Sequence, residues 1–123
     1  MNNNYYKNIL INVFKESVKA CHPSYFMHKY VPKKRPKGNV FVVGAGKGSA
    51  EMAKYFEIAW EKKRYGPLKG LIITRYGHAC KCKTIEVVEA AHPIPDINGV
   101  KTTDRIIKIT KELHEGEKFK QIT

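Results

Sequence analysis

The sequence has 123 residues, 42% of them hydrophobic, and 23 basic against 11 acidic side chains give it a net charge of +12. That length suits one modest domain with a real core and excludes two domains of ordinary size. The apolar fraction is that of a globular chain, and no apolar run approaches the roughly 20 residues that cross a bilayer.

Tyr6, Ile9, Leu10, Val13, Phe14 and residues 17–21 follow the i, i+3, i+4, i+7 spacing of an amphipathic helix. His22-Pro23 ends it, because the residue before a proline is pushed out of helical geometry. The polar N-terminus has no small-residue cleavage site, so no signal peptide is read and the cytoplasm is the expected compartment. A second short helical piece reaches Tyr30, and residues 31–38, with two prolines, four basic residues and a glycine, form a connector.

Residues 39–43 (NVFVV) are a β-branched and aromatic run expected to form a strand buried on both faces. Gly44-Ala45-Gly46-Lys47-Gly48-Ser49 follows, and a helical pattern runs to about Lys62. Residues 70–74 and 84–89 are the second and third expected strands, separated by the loop 75–83. The prolines of residues 90–99 argue against regular structure there, and a last helix is expected from Val100 to His114, with Ile106, Ile107, Ile109 and Leu113 as its apolar stripe. Strands alternating with helices in this order predict an α/β layered fold with a mostly parallel sheet.

A strand running through Gly-x-Gly into a helix lets backbone N–H groups approach a phosphate or carboxylate at the helix N-terminus. Two familiar templates fail. Ser49 stands where the dinucleotide fingerprint has its third glycine, and Arg64 stands where an acidic residue would hold a ribose. The spacing is not that of a P-loop either. A Gly-x-Gly turn also serves plain strand-to-helix packing, but Lys47 adds to the case. A cation in the first helical turn opposes the macrodipole, so a bound anion explains it better than stability does. In a parallel sheet the loops after the second and third strands share the carboxyl edge where ligands bind, so Arg75, His78 and His92 can converge near Lys47. Taken singly, each histidine is better read as a loop residue bonded to backbone than as a catalytic one.

Cys21, Cys80 and Cys82 are too few, and odd in number, for a disulfide framework and fit reduced thiols. His78-x-Cys80-x-Cys82 lacks zinc spacing and a fourth ligand, so no metal site is expected. The positive charge asks for an anionic partner, but lysines far outnumber arginines, no nucleic-acid reader motif is present, and solvated surface lysines account for most of it. A small anionic molecule is therefore expected, rather than nucleic acid or a membrane.

Residues 42–53 (VVGAGKGSAEMA), 70–79 (GLIITRYGHA) and 85–96 (IEVVEAAHPIPD) together resemble three consecutive blocks of the glycerate 2-kinase (MOFRL) family, whose members are often labelled hydroxypyruvate reductases. Residues 14–23 are similar to that family's opening helix. The resemblance implies a Rossmann-like domain and transfer of the ATP γ-phosphoryl group to the 2-hydroxyl of D-glycerate, with Mg²⁺. It places the catalytic lysine at Lys47, beside the Gly44-Ala45-Gly46 turn, with Arg75, His78 and His92 on the substrate side. It also implies a further strand, a Ser-Gly-Gly-Gly-Ser loop and a C-terminal domain closing the cleft, none of which lies in residues 1–123. The expectation is thus an incomplete domain, inactive alone. It would be a truncated gene product, a partial reading frame, or one part of a split enzyme with a separately encoded C-terminal fragment. Two alternatives remain: an NADP-dependent reductase using Lys62, Lys63 and Arg64 at a 2′-phosphate, and a non-catalytic remnant.

Overall fold

The computed structural model describes residues 3–112. Helix α1 (Asn3–Ala20) is followed by the single turn α2 (Pro23–Phe26) and a 3₁₀ turn, Met27–Lys29. Strand β1 (Phe41–Ala45), helix α3 (Ser49–Lys62), strands β2 (Lys69–Arg75) and β3 (Ile85–Ala90), and helix α4 (Ile97–Glu112) complete the order. The three strands form one parallel sheet in the order β1-β2-β3, with Phe41 opposite Lys69 and Gly70 opposite Ile85. This is the expected α/β architecture: a parallel sheet flanked by helices.

The main core lies between the sheet and α3. Val42, Ile72 and Ile85 meet Ala53, Phe56, Ala59 and Trp60, and Met27, Val31 and Leu68 close the rim. Trp60 is 2% exposed, stacks on Phe56, and donates its indole N–H to the Gly66 carbonyl at 3.0 Å, so its polar atom is satisfied. At Gly70 a Cβ would stand 2.7 Å from the Val42 carbonyl oxygen and against Ile85, so only glycine lets β1 and β2 approach this closely. On the opposite face Gly99 of α4 comes up to Ala90, and the Arg105 guanidinium holds both oxygens of Glu86, at 2.9 and 2.6 Å.

Two boundaries differ from expectation, each for a local reason. β1 runs on through Gly44 and Ala45 because both stay in register with β2, opposite Ile72 and Ile73. α4 starts at Ile97 rather than Val100: the Asp96 carboxylate accepts the Gly99 N–H at 3.0 Å, an N-cap bond placed directly after the prolines. Its stripe is only partly covered, with Ile107 exposed, while Leu113 and His114 lie outside the described residues. The amphipathic α1 does form, yet it has no buried residue; Ile9, Leu10, Val13 and Phe14 face solvent.

β2 and β3 are parallel and joined by residues 76–84 without a helix. The return run therefore passes beside α3 and needs partners for its backbone. Glu57, 6% exposed, provides them: its carboxylate accepts the N–H groups of Lys83 and Thr84 at 2.7 Å, that of Ile85 at 3.2 Å, and the Thr84 hydroxyl at 2.6 Å. Burial alone pushes this carboxyl up, but the four hydrogen bonds together bring it below its ordinary value.

Glu57→Ala strands three amides at the edge of the core, and thermal or urea unfolding is expected to show a loss of about 3 kcal/mol. The folded state holds the lowered pKa, so the Glu57 contribution is complete above the ordinary carboxylate range and is lost as pH falls through the folded value. Unfolding midpoints measured from pH 7 downward are expected to drop in acid, and the drop is expected to be smaller in Glu57→Gln.

Candidate functional site

The carboxyl end of β1 leads into the glycine turn. Gly46 has φ +130, a backbone region that side chains disfavour, and its N–H donates to the Ile73 carbonyl at 3.0 Å. Its own carbonyl accepts the Ser49 N–H at 3.2 Å and the Ser49 hydroxyl at 2.7 Å. That hydroxyl also lies 2.8 Å from the Ile73 carbonyl, so Ser49 ties the turn to β2. The residue that breaks the dinucleotide fingerprint is the one that pins this turn.

α3 begins at Ser49 with Gly48 as N-cap, and no side chain caps it. Apart from the Ser49 N–H, which the Gly46 carbonyl accepts, the N–H groups of its first turn have no capping side chain and lie at the positive end of the helix dipole. Lys47 is exposed and precedes the cap, one step outside the helical turn expected from the sequence, because Gly46 turns the chain before the helix starts. Its ammonium has no ion pair among the described residues.

Two cavities flank the turn. The smaller, about 110 Å³, is lined by Gly46, Lys47, Thr74, Arg75 and His92 together with Ile73, Ala90 and Ala91. The carboxyl ends of all three strands therefore meet there, and Lys47, Arg75 and His92 share one rim. His78 is not part of it; its N–H closes a turn on the Arg75 carbonyl at 3.0 Å and its side chain is exposed. The larger cavity, about 530 Å³, is an apolar groove containing Gly44, Ala45, Gly46, Gly48 and Ser49, with Val42, Val43, Phe56, Ile72 and Ile106 among its walls. It follows β1, whose second edge pairs with no strand among the described residues.

The loops around the smaller cavity are braced by carboxylates that spend their charge on the loops themselves. Glu89 accepts the Gly77 and Ala79 N–H groups at 2.7 and 3.2 Å. Asp96 accepts the Tyr76 hydroxyl at 2.8 Å, and Asn98 donates to that same hydroxyl. The Gly99 N–H first, then Tyr76, hold Asp96 below its ordinary range, while the Asp96 contact raises the Tyr76 phenol. Neither acid lines the cavity, whose charged lining is Lys47 and Arg75. Sequence reading missed Ser49, Tyr76, Glu89 and Asp96 as supports; only the Asp-x-x-Gly spacing after the prolines carried a signal, that of a helix cap.

Lys62, Lys63 and Arg64 end α3, a helix of 14 residues and so roughly 21 Å long. They lie at the opposite end from the glycine turn, which leaves the 2′-phosphate argument without a geometry. Gly46→Ala forces a side chain into the φ +130 position, and Ser49→Ala removes the tie to β2. Losses of about 1–3 and about 1 kcal/mol respectively are expected in urea unfolding, with backbone NMR shift changes centred on residues 44–50.

The family described as "Domain of unknown function (DUF4147)" matches residues 9–119. A protein of Agrobacterium vitis named putative hydroxypyruvate reductase is 36% identical over 107 residues, covering 87% of this chain and 24% of that relative. The D-glycerate 2-kinase of Thermotoga maritima is 34% identical over 113 residues, covering 90% and 26%. The crystal structure of glycerate kinase from Thermotoga maritima superposes with a TM-score of 0.73 at 31% identity over 93% of this chain and 27% of that one. The PH0495 protein of Pyrococcus horikoshii gives a TM-score of 0.68 at 27% identity, over 91% and 27%. The chain thus spans about a quarter of the length of these relatives. A match that runs through all three strands and the glycine turn, in sequence and in structure, means that this chain belongs to the DUF4147 family, the N-terminal domain of the glycerate 2-kinases and putative hydroxypyruvate reductases.

Proposed function

We propose that this chain forms one wall of the active site of an ATP-dependent glycerate 2-kinase, with Lys47 as its catalytic cation. The observation that carries the reading is the convergence of Lys47, Arg75 and His92 on one small cavity beside the uncapped start of α3. A cavity of about 110 Å³ suits a carboxylate or a phosphoryl group, whereas enclosing a whole nucleotide takes several hundred cubic ångströms. In this reading the Gly44-Ala45-Gly46 turn and the first amides of α3 receive the anionic group, and Arg75 and His92 orient glycerate. His78 stands farther out, where polypeptide closing over the site would meet it.

In the reaction the 2-hydroxyl oxygen of D-glycerate bonds to the γ-phosphorus as the bond to the ADP oxygen breaks. Such a transfer depends on alignment and on neutralising charge over the phosphoryl oxygens. Lys47 supplies that charge at the mouth of the turn. No group of three His, Cys, Asp or Glu side chains gathers among the described residues, and no step here is assigned to a metal. The bulk of ATP, its Mg²⁺ and the facing wall belong in this reading to the three quarters of the relatives that the chain does not align with. The groove along β1 and the apolar face of α1 are the surfaces on which that polypeptide packs.

Two measurements test the proposal. Titration of the chain with inorganic phosphate or 2-phosphoglycerate is expected to shift the amides of Gly46, Gly48 and Ser49 in NMR spectra, and Lys47→Ala is expected to weaken the effect. In a chimera that carries this chain in place of the aligned quarter of the Thermotoga maritima kinase, Lys47→Ala is expected to lower kcat by about 100-fold or more. A chimera that phosphorylates glycerate equally well with and without Lys47 removes the assignment.

A further inference from the structure

The net charge of +12 is not spread evenly over the fold. No acidic residue occurs between Glu16 and Glu51 or between Glu61 and Glu86, and folding brings parts of these two stretches together. The connector before β1 lies against the loop that leaves α3. Lys63 donates its ammonium to the Pro32 carbonyl at 3.0 Å. The Tyr65 hydroxyl lies 3.0 and 2.7 Å from the carbonyls of Pro32 and Lys33, and Arg35 Nε donates to the Tyr65 carbonyl. These bonds hold the segment that carries Lys33, Lys34 and Lys37 next to Lys62 and Arg64. Lys69 joins them as β2 begins, where its N–H meets the Val40 carbonyl. All six residues are exposed, and none has an ion pair among the described residues. Glu61, beside Lys62 in the chain, has both carboxylate oxygens 2.7 Å from the Lys83 ammonium.

Ordinary causes account for part of this cluster. A cation at the end of a helix is favoured by the dipole, which covers Lys62. It does not cover the connector lysines or Lys69, whose like charges repel. Arg64 is a second departure: it follows the C-cap of α3 at φ +53, a left-handed position that glycine or asparagine fills with less strain. Tyr30, 64% exposed, stands two residues ahead of Pro32, so an open aromatic residue adjoins the cations. No other large hydrophobic side chain is exposed in residues 30–40 or 61–69, which leaves nothing aliphatic to enter a lipid surface.

We infer that this amino edge of the sheet is a binding surface for single-stranded nucleic acid. Cations from three segments follow the phosphodiester chain, and Tyr30 offers a ring on which an unpaired base stacks. Lysine at most of these positions suits phosphate contact without base readout, in keeping with the lack of a reader motif. An acidic peptide would use the cations but has no base to place on Tyr30. The surface lies at the far end of α3, roughly 21 Å from the glycine turn, and does not depend on the kinase reading.

The test is fluorescence anisotropy of the full chain with labelled oligouridylate and oligothymidylate of about 20 nucleotides. Binding that weakens with salt is expected for at least one of them, and the ratio between them tells RNA from DNA. Lys34→Gln, Lys62→Gln and Lys69→Gln combined, one from each segment, are expected to weaken binding about tenfold or more. They are also expected to flatten the plot of log affinity against log salt by about 2 in slope. Lys7→Gln, Lys101→Gln and Lys111→Gln combined remove the same charge elsewhere and are expected to lower affinity by less than about threefold. Tyr30→Ala is expected to lower it about fivefold or more, and Tyr30→Phe to restore it. All of these residues are exposed, so folding is not at issue. Absence of binding overturns the proposal, and so do equal losses in the two triple variants, which mark generic charge. Competition by polyglutamate or by phosphatidylserine vesicles, as strong as that of the oligonucleotide at equal charge, overturns it too.

Discussion

Two parallel strands joined without a helix impose the constraint on which much of this domain depends. Residues 76–84 must return the length of β2 in an extended run, and such a run has no neighbouring strand to satisfy its amides. Glu57 meets that need from α3, and its four hydrogen bonds outweigh the penalty of burying a carboxylate. Glu89 performs a similar service at the other end of the loop. Because the return run lies against α3, β3 enters the sheet in register with β2 and places Ala90, Ala91 and His92 beside the glycine turn.

The glycine turn divides the carboxyl edge of the sheet into two regions with different chemistry. On one side Lys47, Arg75 and His92 surround a small cavity while the neighbouring acids are bound to backbone and tyrosine. On the other, an apolar groove follows the edge of β1 that pairs with no strand among the described residues. α4 lies on the opposite face of the sheet from α3, and its Ile106 reaches this groove. A strand edge with open amides beside apolar side chains is a surface that folded proteins cover. Together with the exposed apolar residues of α1, it suits a chain spanning about a quarter of its relatives' length.

Local sequence determined most of the framework. Continuous β-branched runs define the strands, 3.6-residue spacing defines α1, α3 and α4, and the three linked blocks carry the family. The glycine turn was legible because a Gly-x-Gly between strand and helix has few structural alternatives. That Lys47, Arg75 and His92 could share one edge followed from parallel strand order alone. Their meeting at one cavity, with His78 outside it, depended on the turn at residues 75–78 and on the Tyr76–Asp96 contact, which join segments 20 residues apart.

Sequence by itself thus settled the elements, their order and the turn, because these rest on backbone preferences and periodicity within a few residues. Tertiary structure decided what those elements touch. It turned Ser49 from a failed fingerprint position into the pin between turn and sheet, made Glu57 a structural carboxylate, and left the apolar face of α1 exposed. A helical stripe records that a face is apolar, but it does not say which surface covers it. That is fixed only by contacts between residues far apart in the chain, and those form in three dimensions.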